Sequence, residues 1–292
     1  MCSISWGPLA VAIIIIVMGL TSRGASASAS PACVKKKEDK SDSTFYRREL
    51  PLTCVAFSSV KGRALFEKAL EKRLAEPYFV LAEQFRTQDE PAYCGLATLV
   101  MVLNALAIDP GRVWKGVWRW FDEDMLSCCK SLDVVKEEGI SLEEFARLAR
   151  CNGASCSVTR GPSVTLEEFR ATIQEHMSGK SRDDEGVVSS FLCLNYNRGA
   201  LGQTGTGHFS PLCAYDDETD MCLILDVARF KYPPHWVQVA MLHKAIQERG
   251  YAVLTPGKRK DGGGPALGCD KCVIEGYDSQ GRSICAGNCA HK

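Results

Sequence analysis

Cys94 opens an apolar helical run, Leu96 to Ala107, which the breaker Asp109-Pro110-Gly111 closes, so any fold of this chain must hold a thiol at the head of a helix. There the sulfur meets the positive end of the helix dipole, which favours thiolate over thiol. The apolar periodicity predicts further helices over Ser58 to Leu81, with Ser58 or Ser59 as cap, over Ile140 to Asn152, starting at Ser141 with Glu144 as capping-box partner, and over Leu166 to Met177. Then the period changes. Val187 to Tyr196, His208 to Tyr215, Met221 to Val227 and Tyr251 to Leu254 are short, β-rich and separated by Gly or acidic turns. Helices followed by a mostly antiparallel sheet predict an α+β fold rather than a doubly wound parallel one.

Composition narrows the partners. A chain of 292 residues, 46% hydrophobic and 24% charged, can hold one large domain or two small ones. Its 35 basic and 35 acidic residues cancel, so no overall field recruits nucleic acid or an anionic membrane, and the expected ligands are small molecules. Fifteen cysteines is a high count, yet Cys33, Cys54, Cys151, Cys156, Cys193, Cys213 and Cys222 are irregularly spaced, unlike a compact disulfide framework. The odd number leaves at least one thiol unpaired within a monomer, and a homodimer stays open.

The ends differ from the middle. Pro8 to Leu20 is an apolar run followed by Ala25-Ser26-Ala27, so residues 1–27 read as a leader with the layout of a signal peptide or signal-anchor, although no Lys or Arg precedes the run. It is short for a membrane span, which takes about 20 residues. It implies secretory or endomembrane entry, with a cytoplasmic or organellar address as the alternative, and any membrane contact would come through it. Residues 28–44 form a polar linker, 45–256 the folded domain, and 257–292 a tail set off by Gly262-Gly263-Gly264-Pro265. In that tail Cys269, Cys272, Cys285 and Cys289 stand as C-x2-C and C-x3-C, a spacing that suits a zinc knuckle or two disulfides.

A helix-head thiol does acyl chemistry only with a base, a group that orients the base, and a donor for the oxyanion. Gln88, in Gln88-Asp89-Glu90-Pro91-Ala92-Tyr93-Cys94, is close enough in sequence to join the Cys94 N–H as that donor. His208, in the Gly-rich run Gln203 to Pro211, is the best base among five histidines; His235 beside Trp236 reads as a packing or surface residue. Asp226 ends the apolar run Cys222-Leu223-Ile224-Leu225, where a carboxylate can accept from the imidazole.

These words, with Asn104-Ala105-Leu106, Ile108 to Arg112, Trp114-Lys115-Gly116, Trp118 to Glu123, Cys128-Cys129, Val134-Val135-Lys136 and Leu225 to Trp236, make the chain from about Phe45 to about Gly250 resemble the phytochelatin synthases, papain-like glutathione γ-glutamylcysteinyltransferases. The resemblance implies a papain-like fold with a helical part set on a mostly antiparallel sheet. It implies acylation of Cys94 by the γ-Glu-Cys part of glutathione with loss of glycine, then transfer to a second glutathione or a growing phytochelatin. His208 would be general acid/base, Asp226 the orienting carboxylate and Gln88 the oxyanion donor. Asn195, Arg198, Gly207 and Phe209 would contact the γ-Glu-Cys unit, with the Arg198 fork suited to a carboxylate. Arg229 and Tyr232 would shape the second-substrate side. No organic cofactor is implied; cadmium, zinc or copper enters as metal-bound glutathione thiolate or as activator. Cys128 and Cys129, adjacent on a helix, match a family pair that could bind such an ion.

Measured against that pattern, the plant members' further Cys-rich C-terminal region is represented only by the short tail, which favours glutathione hydrolysis as a competing outcome. Thr255-Pro256 replaces a Ser-Arg-Pro run, so a substrate-facing Arg is expected to be missing there. Two other readings stay open: a papain-like peptidase, and a thiol-rich metal-buffering protein without catalysis.

Overall fold

Helix α1 (Val60–Glu71) starts where Ser59 Oγ accepts the Gly62 N–H at 3.0 Å, but it does not run on to Leu81 as the periodicity predicts. The chain breaks at Arg73, whose φ is 55°, and restarts as α2 (Glu76–Glu83) with Pro77 in its first turn. Proline has no N–H to continue a helix and disfavours helical backbone in the residue before it, so two helices replace the expected one. In this computed structural model the described residues are 48–257 together with the short strands Ile274–Tyr277 and Ser283–Cys285. The leader, the linker, Cys269, Cys272 and Cys289 lie outside them, and of Cys285 only the backbone is described.

Helix α3 (Cys94–Ala105), headed by Cys94, buries every residue from Gly95 onward. A helix apolar on all sides must be surrounded, and this one is. α4 (Leu132–Glu138) follows Cys128 and Cys129, which lie in a bend before it and not on a helix. α5 (Leu142–Cys151) and α6 (Leu166–Met177) form as predicted, each opened by a complete capping box, Ser141 with Glu144 and Thr165 with Glu168.

Seven strands make one sheet. They are β1 (Cys54–Ala56), β2 (Ala154–Arg160), β3 (Phe191–Asn197), β4 (Gly207–Asp216), β5 (Met221–Ile224), β6 (His235–Gln238) and β7 (Gly250–Pro256), in the order β1-β6-β5-β4-β3-β7-β2. Every pairing is antiparallel. α7 (Val239–Ile246) separates β6 from β7, and β8 (Ile274–Tyr277) pairs with β9 (Ser283–Cys285) in the tail. The α+β class holds. The simple order of helices first and sheet second does not, because β1 and β2 are interleaved with the helices.

Alternation along the strands fills both faces of the sheet. Phe191 and Cys193 of β3 join the core that contains α3 and α5, while Leu192, Leu194 and Tyr196 join the core that contains α6 and α7. The middle of the sheet is buried on both faces, and the start of its central strand β4, beside the head of α3, is where the candidate chemistry gathers.

Candidate active site

Gly95 is the local reason the head of α3 can approach so closely. A Cβ there would lie 2.5 Å from Ile140 and 3.3 Å from Phe209, so any larger residue would push Cys94 away from β4. No side chain caps the start of α3, which leaves the first-turn N–H groups, that of Cys94 among them, without a side-chain acceptor. Phe209 is stacked on Phe145 of α5 with ring centroids 4.9 Å apart, fixing β4 beside the helix head.

The structure brings Cys94, His208 and Asp226 together. The buried His208 hydrogen-bonds through Nε2 to Asp226 Oδ1 at 2.8 Å, leaving Nδ1 for the thiol. Desolvation pushes the Cys94 thiol up, but the His208 charge and hydrogen bond, the Phe209 N–H and the Arg198 charge outweigh it and hold the thiol below its usual value. Burial pulls the His208 imidazole down, and the Asp226 carboxylate and the Cys94 sulfur more than reverse this, so it titrates above its usual value. The opposed shifts are those of a thiolate–imidazolium pair.

Asp226 is fully buried just past the end of β5 and accepts from the His208 ring, the Ala228 N–H (2.9 Å) and Arg198 Nη2. Nη2 is 2.8 Å from both carboxylate oxygens and is aligned for hydrogen bonding with Oδ1. Burial raises this carboxyl, and the His208 and Arg198 charges bring it well below the usual carboxylate range. Arg198 is itself spoken for: its Nη1 donates to Gln203 Oε1, and its guanidinium lies 5.2 Å from the Tyr232 ring centroid. The fork expected to meet a substrate carboxylate thus has one arm on Asp226 and the other on Gln203 while it lines the cavity. Gln203 Nε2 donates in turn to Nε2 of His235, whose Nδ1 donates to Pro233 O, both at 2.7 Å. His235 is completely buried, so it is a packing residue as the sequence suggests but not a surface one; burial drives its pKa down and keeps it neutral.

A cavity of about 330 Å³ opens over the thiol. Asn195, Arg198, Gly207 and Phe209 line it along with Cys94 and His208. Gln88, Arg229 and Tyr232 do not. Gln88 is buried under the loop that precedes Cys94, with Nε2 donating to Glu90 O and Pro91 O at 2.8 Å each. Arg229 is exposed over Phe85, and Tyr232 is buried with its hydroxyl accepting the Thr204 N–H.

Two cations on the cavity wall escape the sequence reading, Lys231 and Arg249. A Cβ at Gly205 would lie 3.2 Å from Lys231 Nζ and one at Gly207 would lie 2.7 Å from Arg249 Nη1, so the glycines of this loop make room for both. Burial and the Arg198 charge push Lys231 down, and Arg249 Nε has no hydrogen-bond partner among the described residues. Glu137 and Glu138 face them from the end of α4. The Gly-rich loop and the quoted Lys231 block carried a signal for one cation; nothing local marks Arg249, which arrives from the start of β7.

Away from the cavity, Cys151 at the end of α5 joins Cys128 and Cys129. Its sulfur is 3.5 Å from that of Cys129, which is 3.8 Å from that of Cys128, and all three lie within 4.8 Å of one another. Hydrogen bonds from its two neighbours hold the Cys128 thiol below its usual value while those to Cys129 push that thiol up. Three sulfurs this close together are a soft-ligand set. Among the described residues no helix is long and apolar enough to cross a membrane.

Residues 45–252 match the family model described as phytochelatin synthase. The chain is 46% identical over 242 residues to glutathione gamma-glutamylcysteinyltransferase 1 of Arabidopsis thaliana, covering 80% of this chain and 48% of that protein. It is 42% identical over 221 residues to the glutathione gamma-glutamylcysteinyltransferase of Schizosaccharomyces pombe, covering 73% and 51%, and 50% identical over 204 residues to enzyme 1 of that name from Triticum aestivum, covering 70% and 39%. The chain spans about half the length of these curated relatives or less.

Proposed function

This chain belongs to the phytochelatin synthase family, and on that footing we propose that it is a γ-glutamylcysteine dipeptidyl transferase with a papain-like site, using Cys94 as nucleophile. One observation carries the reading: a thiol at an uncapped helix head, held below its usual pKa beside an imidazole that a buried carboxylate fixes.

The Cys94 thiolate attacks the carbonyl of the Cys–Gly amide of glutathione, and the oxyanion that forms accepts from the Cys94 N–H. Collapse of the adduct breaks the C–N bond as the His208 imidazolium gives its proton to the departing glycine. Neutral His208 then takes a proton from the α-amine of an acceptor glutathione as that amine attacks the thioester, and the thiolate is released. Water in place of the amine yields γ-Glu-Cys. Gln88 serves as second oxyanion donor if substrate draws its amide from Glu90 O and Pro91 O. Lys231 and Arg249 take the peptide carboxylates, since Arg198 is committed to Asp226. Soft metal ions belong to the acceptor as glutathione thiolates, so they are substrate and not part of the catalytic set.

Incubation of the protein with glutathione, with and without cadmium, tests this directly. Glycine release together with (γ-Glu-Cys)-extended products by mass is expected. Recovery of intact glutathione alongside cleavage of denatured casein would replace the reading by a peptidase.

Cys128, Cys129 and Cys151 form a separate soft-ion site in this reading. Replacing Cys129 and Cys151 together by Ser is expected to lower bound cadmium by about one equivalent per chain in equilibrium dialysis. Unchanged stoichiometry would remove the site.

A further inference from the structure

Glu123 is a fully buried carboxylate outside the cavity, and its surroundings form a chain of contacts leading to the nucleophile from two directions. Its segment is pinned to the far end of α3, where Asn104 Nδ2 donates to Phe121 O and the Phe121 N–H donates to Asn104 Oδ1, both at 3.1 Å. Its Oε2 accepts the Asp89 N–H at 3.1 Å, and Arg86 Nε lies 3.4 Å from Oε1 without hydrogen-bond alignment. The neighbouring Gln88 N–H donates to Val227 O at 3.0 Å, directly after the triad acid. Residues 86–91 are thus suspended between the body of α3 and the acid-bearing segment.

We propose that Glu123 is a positioning residue for acyl transfer, holding the Arg86–Pro91 segment so that Gln88 and the Cys94 helix head keep their register with His208 and Asp226. The proposal rests on the reading of Cys94 as the nucleophile. An apolar side chain would fill this volume at lower cost, because burial pushes the Glu123 acid up to about 7 against the Asp89 N–H and the Arg86 charge, with Asp89 and Asp122 adding to the rise. What the carboxylate supplies instead is a directional acceptor for a backbone N–H one residue past Gln88. A displacement of the order of an ångström at that point is enough to cost catalysis heavily.

Three variants test it, with kcat expressed per Cys94 titrated by iodoacetamide and read by peptide mass. Glu123→Ala is expected to lose about tenfold in kcat with KM within about twofold, since the cavity cations are untouched. Glu123→Asp keeps the charge but withdraws it by one methylene, and is expected to lose nearly as much. Glu123→Gln, whose amide oxygen can still accept from Asp89, should recover to within about threefold of the parent. A purely structural role would lower only the amount of folded protein and leave kcat per titrated site unchanged. Parental kcat in folded Glu123→Ala overturns the proposal, and where that variant is insoluble, parental kcat in Glu123→Asp does so. If the parent protein releases no glycine from glutathione, the proposed function fails by itself. The alkylation rate at Cys94 then still judges Glu123: a several-fold fall in the Ala or Asp variant supports the positioning role, and equal rates overturn it.

Discussion

Cys94→Ala is expected to abolish glycine release from glutathione, with a fall in kcat of about a thousandfold or more and no γ-glutamylcysteinyl adduct recoverable on the chain. Among the described residues no other thiol shares the helix head, the His208 ring and the cavity: Cys193, Cys213 and Cys222 are fully buried with their thiols pushed far up. The loss should be chemical and not structural, since the substitution removes one half-buried sulfur and leaves Ala at a helix start, a change of about 1 kcal/mol or less in stability. A reciprocal effect separates this assignment from a metal-buffering role. The Cys94 sulfur helps hold the His208 pKa up, so the His208 titration followed by NMR must move to lower pH in the Ala variant. Substantial glycine release by Cys94→Ala, or an unmoved His208 titration, would remove the sulfur from the mechanism.

The same pair sets the expected pH profile. Cys94 is held below its usual value and His208 above its own, each by the other, so the two titrate as one coupled pair whose ion-paired form fills and then empties as pH rises. Acylation should therefore follow a bell in pH whose two limbs belong to the Cys94–His208 pair, checked by the pH dependence of glycine release.

Much of this site was legible in the sequence because it is built from local signals. The helix head at Cys94, the capping box at Ser141 and the carboxylate after Leu225 are each fixed by residues a few places apart. What escaped is set by tertiary contact. β6 follows two prolines and has only four residues, so its pairing with β1 and β5 depends on partners far away in the chain. Arg198 is placed among the substrate contacts by the family resemblance and does line the cavity, but no local signal announced that its guanidinium also packs near Tyr232 and donates to Gln203 and Asp226. Arg249 and Cys151 were passed over for the complementary reason: each becomes interesting only when a distant segment, the Gly207 loop or the Cys128–Cys129 bend, folds against it.

The inward turn of Arg198 gives Asp226 a stabilising part beside the orienting one proposed for it. Asp226→Asn is expected to cost about 3 kcal/mol of stability, because it strands a buried guanidinium whose counter-charge has gone. An orienting role alone predicts something milder, since a carboxamide can still accept from an imidazole. The carboxyl titrates well below its usual range in the fold, so its contribution is present above the unfolded value of about 3.9 and is lost as pH falls beneath it; urea midpoints of the parent should drop there, and those of the Asn variant should drop less. A second substitution separates the two roles. Arg198→Met on top of Asp226→Asn removes the stranded charge and should return more than half of the lost stability, while glycine release stays about a hundredfold or more below the parent because the ring has lost its ionised partner. If Asp226→Asn proved as stable as the parent at neutral pH, the buried ion pair would contribute nothing. If the double variant regained full activity, the carboxylate charge would have no part in tuning His208.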